Sequence, residues 1–232
     1  MRTGIIGAME NEVEQLKEKM TQVEIVEKAK MTFCSGLLCG AQVVVVRSGV
    51  GKVNAAVCTQ ILADDFGVDY VINTGIAGSL DAAIDIGDIV ISDDVLHHDM
   101  DATGFGYPVG QIPLMEEFSF VSDRELGDIA QEVCGIVNPE IHVFRGRIVS
   151  GDQFISDRDT KNRIHETFGG YCTEMEGAAI AQTAYLNGIP FIIVRAISDK
   201  ADNSAYMDYE SFEEKAVLQS VQLICGLMER LK

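Results

Sequence analysis

Short apolar segments alternate along this chain with segments of helical periodicity, and this alternation restricts the possible folds more than any other feature. Tyr70–Asn73 and Phe191–Ala196 carry one charged side chain between them and are predicted to be strands buried on both faces. Strands of this kind form sheets that helices cover on both sides. Met31–Cys39 and Ala41–Arg47, which meet at Gly40, predict a hairpin. The expected fold is therefore α/β, a single-domain three-layer αβα sandwich with a mixed central sheet.

The other predicted elements continue this alternation. Further strands are predicted at Thr3–Ile6, Gln22–Glu27, Asp88–Ser92, His142–Ser150 and, as an extended segment, Tyr171–Met175. Helices are predicted from Gly7 to about Met20, at Val53–Phe66, Arg124–Ile136, Asp159–Thr167 and Gly177–Leu186, and from a capping box at Ser211–Glu214 to the last residue. A long loop is expected over Asp93–Leu114. Since no linker or internal repeat interrupts the pattern, residues 1–232 are expected to form one domain.

Composition and charge exclude several classes of function. The 232 residues are 47% hydrophobic and carry a formal net charge of −18, which argues against disorder, nucleic-acid binding and attachment to an anionic membrane surface. No apolar run reaches the roughly 20 residues that span a bilayer, and the first residues lack a signal peptide. A cytosolic protein with a small, weakly charged or cationic ligand is expected. The six cysteines lack C-x-x-C spacing and are predicted to be buried thiols.

Acidic residues follow three of the predicted strands. Glu10, Glu12 and Glu14 follow the first strand, Glu174 and Glu176 follow the extended segment at 171–172, and Asp199 follows the strand that ends at Ala196. In open α/β sheets, ligands bind beyond the carboxyl ends of the strands. These acids are therefore candidate functional groups.

Each acidic group also has a purely structural interpretation. Glu10 and Glu12 can simply complement a helix dipole, while Glu14 is expected to face solvent. Glu174 and Glu176 flank Met175 and can pair with Arg195, or one of them can accept hydrogen bonds from the two hydroxyls of a ribose. Asp199 can stabilise a turn. The residues alone leave these alternatives open.

Other segments resemble known functional motifs only in part. Gly49-Val50-Gly51-Lys52 lacks the upstream Gly and the Ser or Thr of a phosphate loop, and is expected to be a tight turn at the start of a helix. His97-His98-Asp99-Met100-Asp101 has no distant partner set for a metal ion, so an ordinary hydrogen-bond network is favoured there. There is no recognisable nucleophile motif and no G-x-G-x-x-G after the first strand. Neither a metal nor an organic cofactor is expected.

Eight motifs in order, over nearly the whole chain, resemble a known family. They are Gly4–Glu12, Ser48–Lys52, Asn73–Gly78, Gly87–Val90, His98–Asp99 through Phe105–Tyr107, Ser150–Ile155, Glu174–Glu176 and Arg195–Asp199. The chain resembles the bacterial 5′-methylthioadenosine/S-adenosylhomocysteine nucleosidases of the purine nucleoside phosphorylase superfamily. The resemblance implies hydrolysis of the N-glycosidic bond of these nucleosides, and of 5′-deoxyadenosine, to adenine and a 5′-substituted ribose, in methionine salvage and adenosylhomocysteine recycling.

The same resemblance implies roles for individual residues. Glu12 would activate the attacking water, with Arg195 nearby, and Asp199 would protonate N7 of adenine. Glu176 would bind the ribose hydroxyls above Met175. Residues expected to surround the substrate are Met9, Val50, Ile76, Phe154, Ile155, Ser198, Phe105, Pro113 and Tyr209. A homodimer is expected, with Phe105 and Pro113 reaching the partner's site.

One residue departs from the family pattern. Ile76 stands where members commonly have Ser, which removes a side-chain hydrogen bond near the ribose and counts against phosphorolysis. A phosphorylase, a futalosine-type nucleosidase and a non-catalytic nucleoside sensor are the competing interpretations. The mechanism requires a protonated Asp199 and an ionised Glu12, and so predicts environments that separate their pKa values.

Overall fold

The computed structural model describes residues 1–202 and 205–232, except for the side chains of residues 206, 207 and 210. The strands in these residues are β1 (Arg2–Gly7), β2 (Thr21–Lys28), β3 (Met31–Leu38), β4 (Ala41–Arg47), β5 (Tyr70–Ser79), β6 (Ile89–His97), β7 (Phe120–Val121), β8 (Val143–Ser150), β9 (Cys172–Glu174) and β10 (Phe191–Asp199). The helices are α1 (Glu10–Glu18), α2 (Lys52–Phe66), α3 (Arg124–Val137), α4 (Arg158–Phe168), α5 (Gly177–Leu186) and α6 (Ala205–Arg230). A short 3-10 helix covers Thr103–Phe105.

All these strands belong to one mixed sheet, in the order β10-β6-β8-β9-β5-β1-β4-β3-β2, with β7 paired to β6. β1 lies between β4 and β5 and is parallel to both. β10 also pairs in parallel with β5, so β5, β10, β6, β8 and β9 close into a ring at one end of the sheet. The ring brings the carboxyl ends of β5 and β10 together beside that of β1, and the acids that follow these strands meet there.

Helices cover both faces of the sheet because neighbouring apolar residues point in opposite directions. Ile5 packs with α1, α3 and α6 on one face, and Ile6 packs with α2 and α5 on the other. Val45 and Val46 divide in the same way. All four side chains are fully buried, as strands in the middle layer of a three-layer sandwich must be. The predicted fold class is confirmed.

Several predicted boundaries were wrong. β5 continues to Ser79 and β10 to Asp199, because each pairs with the other beyond the point where glycines or polar residues suggested an end. β6 continues to His97, so the loop predicted from Asp93 starts later; β8 pairs along this extension as far as Ser150. The two-residue strand β7 was not predicted.

The start of the last helix was also misplaced. α6 begins at Ala205, and Ser211 is an exposed residue inside it. The S-x-x-E pattern at Ser211 is therefore not a cap in this protein. Within residues 1–202 and 205–232, no helix has the length and apolar character needed to cross a membrane.

The cysteines are free thiols, and four of the six are buried. Cys34, Cys58, Cys134 and Cys172 lie in the core, while Cys39 and Cys225 are partly exposed. The prediction of unpaired thiols is confirmed, and that of burial holds for the four core positions.

Candidate active site

A cavity of about 420 Å³ opens where β1, β5, β9 and β10 end. Its wall is mainly apolar but includes four carboxyl groups. The described residues that line it are Ala8, Met9, Glu12, Val50, Ile76, Ala77, Gly78, Phe154, Thr173, Glu174, Met175, Glu176, Ser198, Asp199 and Tyr209. A cavity of this size suits a nucleoside-sized ligand, and its few polar groups would fix the orientation of that ligand.

Glu12 is buried although it belongs to the first turn of α1. Its Oε2 accepts the N–H groups of Ala8 at 2.7 Å and Met9 at 2.9 Å, and its Oε1 accepts that of Ile76 at 3.3 Å. Burial raises the pKa of Glu12, and the Arg195 charge and these three hydrogen bonds only partly offset this effect. Glu12 thus caps its own helix and also presents a carboxyl group to the cavity.

Glu174 and Glu176 have opposite environments, which resolves the alternatives left open by the sequence. The Glu174 carboxylate is buried against the Arg195 guanidinium and accepts the Gly177 N–H at 2.7 Å. Burial alone would raise its pKa, but the charge of Arg195 reverses the shift and lowers the pKa of Glu174. Arg195 also donates to Asn73 and to the Val194 carbonyl, so its charge and its two terminal nitrogens are used inside the protein. Glu174 is the structural acid of the pair.

Among the described residues, Glu176 forms no ion pair like that of Glu174 with Arg195. Its Oε1 accepts the Gly51 N–H at 2.8 Å, and its side chain lines the cavity. Burial, followed by the nearby charge of Glu174, raises the pKa of Glu176 to about 8. This carboxyl is held between protein donors and the cavity, where donors from a ligand would stabilise its ionised form.

Asp199 lies at the end of β10 and is buried. Its Oδ1 accepts the Ala201 N–H at 2.8 Å and its Oδ2 accepts the Ser198 hydroxyl at 2.9 Å. Burial raises the pKa of Asp199 despite these two hydrogen bonds. The turn that was the structural interpretation of Asp199 is real, and the same side chain also faces the cavity.

Two glycines of β5 allow the carboxyl groups of Glu12 and Asp199 to approach the strand closely. A Cβ at Gly75 would lie 2.7 Å from Glu12 Oε1, and one at Gly78 would lie 2.7 Å from Asp199 Oδ1. Both distances are below any ordinary contact. β5 therefore carries glycine at the two points where Glu12 and Asp199 pack against it.

Most of the predicted site residues meet in this cavity. Met9, Glu12, Val50, Ile76, Phe154, Met175, Glu176, Ser198, Asp199 and Tyr209 all line it. Ile155 lies in a small adjoining recess, and Arg195 lies behind the wall because Glu174 holds it there. Phe105 and Pro113 do not line the cavity of their own chain, and Phe105 is 88% exposed.

Sequence reasoning missed four of the lining residues and left Glu174 unassigned. The missed residues are Ala8, Ala77, Gly78 and Thr173. Small residues beside the ends of strands were the available signal, because a wall that approaches a ligand closely is built from them. Glu174 was recognisable only through its pairing with Arg195.

The segment after β6 forms a hydrogen-bond network. Lys52 Nζ lies 2.6 Å from Asp99 Oδ1, and Asp99 Oδ2 accepts the Asp152 N–H at 3.0 Å. His97 Nε2 contacts the Gln182 amide oxygen at 3.0 Å. In the described part of the chain, no three His, Cys, Asp or Glu side chains are grouped as a metal ion would require. The network fixes the turn at Gly51 that holds Glu176.

Glu176→Gln is expected to stabilise the protein at alkaline pH and to change little in acid. The raised pKa means that the fold favours the protonated carboxyl, so this stability is complete below the ordinary pKa of 4.5 and is lost as the pH rises through about 8. The Gln variant cannot ionise, and each kcal/mol recovered should raise Tm by about 2–4 °C. Thermal melts at about pH 4 and pH 9 measure the Tm difference between the variant and the unmodified protein. The control is Glu166→Gln, a change at an exposed residue. An equal Tm difference at both pH values would contradict the assignment.

The protein combines a mixed sheet that closes into a ring of strands with a carboxyl-rich cavity at the strand ends. These two features are consistent with the family to which its sequence belongs. The chain is a member of the Phosphorylase superfamily, whose sequence profile matches residues 2–229. This confirms the resemblance inferred from the eight motifs.

Within this superfamily, the chain is similar to named nucleosidases. The chain is 44% identical to a 5′-methylthioadenosine/S-adenosylhomocysteine nucleosidase of Staphylococcus aureus over 229 residues, which are 98% of this chain and 99% of that protein. The structure of this chain matches that of the Colwellia psychrerythraea nucleosidase of the same name in complex with adenine. The TM-score is 0.96 and the identity is 42% over 100% of this chain and 96% of the other. The structure also matches the futalosine hydrolase of Helicobacter pylori, with a TM-score of 0.94 and 30% identity over 99% and 98% of the two chains.

Proposed function

We propose that the protein hydrolyses the N-glycosidic bond of 5′-methylthioadenosine and S-adenosylhomocysteine, releasing adenine and the 5′-substituted ribose. The observation that carries the proposal is the convergence of Glu12, Glu176 and Asp199 on one nucleoside-sized cavity. The nucleosidases from S. aureus and C. psychrerythraea, the latter with adenine bound, support the substrate class.

Asp199 is proposed as the acid that protonates the leaving purine. Cleavage of the bond leaves negative charge on the purine, and a proton delivered to N7 neutralises it. The burial that raises the pKa of Asp199 favours the protonated form that this step needs. Its bonds to Ser198 and Ala201 fix the direction in which the carboxyl points.

Glu12 is proposed to orient and deprotonate the attacking water. The ionised form can accept the water's proton and also faces the positive charge that develops on the ribose. The structure does not show the predicted separation of pKa values, because burial raises the pKa of both Glu12 and Asp199. For Glu12 the upward shift makes the ionised carboxylate a stronger base toward the water.

Glu176 is proposed to bind the 2′- and 3′-hydroxyls of the ribose. One ionised carboxylate can accept both hydroxyl hydrogens while retaining the Gly51 N–H. Met175 lies beside it in the cavity wall and provides an apolar surface for the sugar. The ribose is thus held between Glu176 and the water-activating Glu12.

Added phosphate is expected not to accelerate cleavage. None of the described residues that line the cavity is Lys, Arg or His, and the buried Arg195 is already paired with Glu174. An anion entering the cavity would therefore meet carboxylates without a counterion. Ile76 adds an apolar side chain at the same wall. Detection of a ribose 1-phosphate product in phosphate buffer would overturn this prediction.

Release of adenine in phosphate-free buffer is the direct test of the proposed function. The purified protein is incubated with 5′-methylthioadenosine, S-adenosylhomocysteine, 5′-deoxyadenosine and futalosine, and the free purine base is measured for each. Rapid release of adenine from the two thio-nucleosides is the expected result. Preference for futalosine would favour the activity that names the H. pylori relative, and binding without release would favour a sensor.

The proposal also includes a homodimer that acts in the cytoplasm, with Phe105 and Pro113 near the partner's site. Phe105, Leu114 and Val53 are 88%, 93% and 75% exposed. The Lys52–Asp99 ion pair joins the start of α2, which carries Val53, to the segment that leads to Phe105. Exposed apolar groups of this kind mark a surface that a partner covers. Sedimentation analysis measures the oligomeric state, and a monomer in solution would contradict the proposed homodimer.

A further inference from the structure

A polar cluster adjoins the apolar end of the cavity at Met9. The Tyr209 hydroxyl lies 3.4 Å from the Met9 sulfur and donates to Glu213 Oε1 at 2.8 Å. The Asn11 amide donates to the same oxygen at 2.8 Å. Tyr209 belongs to the cavity wall and Glu213 is partly buried one helical turn further along α6. Glu213 is therefore one hydrogen bond away from the cavity.

The direction of these hydrogen bonds determines which ligand group the cluster suits. When the Tyr209 hydroxyl donates its proton to Glu213, the acceptor at the shorter distance, the lone pairs of its oxygen can accept from elsewhere. Burial and then the bond to Glu213 raise the pKa of Tyr209, so the hydroxyl remains a neutral group. The Glu213 carboxylate has acceptor sites beyond the two that Asn11 and Tyr209 use. The cluster offers acceptors and negative charge, which suit a cationic donor and repel an anion.

The position of the cluster follows from the proposed function, on which this inference depends. If the purine lies at Asp199 and the ribose hydroxyls lie at Glu176, the remaining wall that carries Met9 and Tyr209 is available to the 5′ substituent. A methylthio group would end within this wall. The homocysteine chain of S-adenosylhomocysteine carries its ammonium group four bonds beyond its sulfur, outside the apolar wall.

We propose that Glu213, positioned by Asn11 and reached past Tyr209, binds the ammonium group of 5′-aminoalkylthio substituents and so determines how well the enzyme uses S-adenosylhomocysteine relative to 5′-methylthioadenosine. The recognised chemistry is a primary ammonium on a thioether chain. A methylthio substrate makes no contact with this carboxylate.

The test compares substrates on the variant Glu213→Gln. This change keeps the shape and an acceptor for Asn11 and Tyr209 but removes the charge. The ratio of kcat/KM for S-adenosylhomocysteine to that for 5′-methylthioadenosine is expected to fall about three- to tenfold, as for a partly exposed charged hydrogen bond. Glu214→Gln, which removes an exposed charge from the adjacent residue, is the matched control and should not change the ratio.

Two analogues separate the ammonium from the carboxylate of the amino-acid chain. Glu213→Gln should lower kcat/KM for 5′-(3-aminopropylthio)-5′-deoxyadenosine, which has only the amine, but not for the analogue with only the carboxylate. Circular dichroism reports whether each variant is folded, and turnover of 5′-methylthioadenosine supplies the reference for the ratio. If Glu213→Gln does not fold, Tyr209→Phe provides the second test, with a lower ratio expected because an acceptor is lost.

The outcomes distinguish this inference from the proposed function. An unchanged ratio in Glu213→Gln, or an equal loss with both analogues, would overturn the ammonium site while leaving the nucleosidase activity intact. Failure of the unmodified protein to release adenine from 5′-methylthioadenosine would instead contradict the proposed function.

Discussion

Asp199→Asn is expected to lower the turnover of 5′-methylthioadenosine by roughly 10²–10⁴-fold, the usual contribution of a general acid. Asparagine keeps an oxygen that can accept the Ala201 N–H bond seen for Asp199, but it has no acidic proton for the purine. Steady-state kinetics measure the loss. Exposed Asp159→Asn makes the same chemical change on α4 and should leave turnover unaffected.

A change of substrate separates the loss of an acid from general damage to the site. An N7-methylated nucleoside already carries positive charge on the purine and needs no proton at N7. The Asp199→Asn variant should therefore cleave it nearly as fast as the unmodified protein does. Near-normal turnover of the ordinary substrate would remove Asp199 from the mechanism, and equal losses on both substrates would show that its role is structural.

Glu12→Gln is expected to bind adenine nucleosides but to hydrolyse them roughly 10²–10⁴-fold more slowly, because the amide cannot accept the proton of water. One amide oxygen can still accept the Ala8 and Met9 N–H groups that bond to one Glu12 oxygen. The amide N–H₂ would then face the Ile76 N–H, so a modest loss of stability is also expected. Single-turnover kinetics and calorimetric binding measure the two effects separately.

The neighbouring acid on the same helix provides the control for Glu12. Glu14 is exposed, as the helical periodicity predicted, and Glu14→Gln should alter neither binding nor hydrolysis. A Glu12→Gln variant that failed to fold would support a purely structural role for Glu12. One that hydrolysed at the normal rate would exclude it as the base.

The sequence was sufficient to predict the layers of the fold and the strand ends that carry acids. The apolar segments Tyr70–Asn73 and Phe191–Ala196 predicted helices on both faces of the sheet, and apolar side chains are packed against helices on both faces. The ring of strands was not predictable in this way. It depends on pairing between β5 and β10, which are distant in sequence, and Gly75 and Gly78 looked like turn residues although they lie within a strand.

The roles of Glu174 and Glu176 also could not be separated from the sequence. The two acids flank Met175 symmetrically, and either could have paired with Arg195. In the structure the two carboxyl groups have different partners, since Glu174 accepts the Gly177 N–H and Glu176 accepts the Gly51 N–H. Only the three-dimensional position of Arg195 decides which becomes the buried ion pair.

The order of the strands in the sheet has a consequence for protein synthesis. Glu12 emerges from the ribosome early, whereas β10 with Asp199, and α6 with Tyr209, emerge last. The strand ring cannot close on a nascent chain until β10 is available to pair with β5 and β6. A nucleoside analogue can therefore not guide the early folding of this protein, and we expect it to rescue unstable variants only by stabilising completed chains.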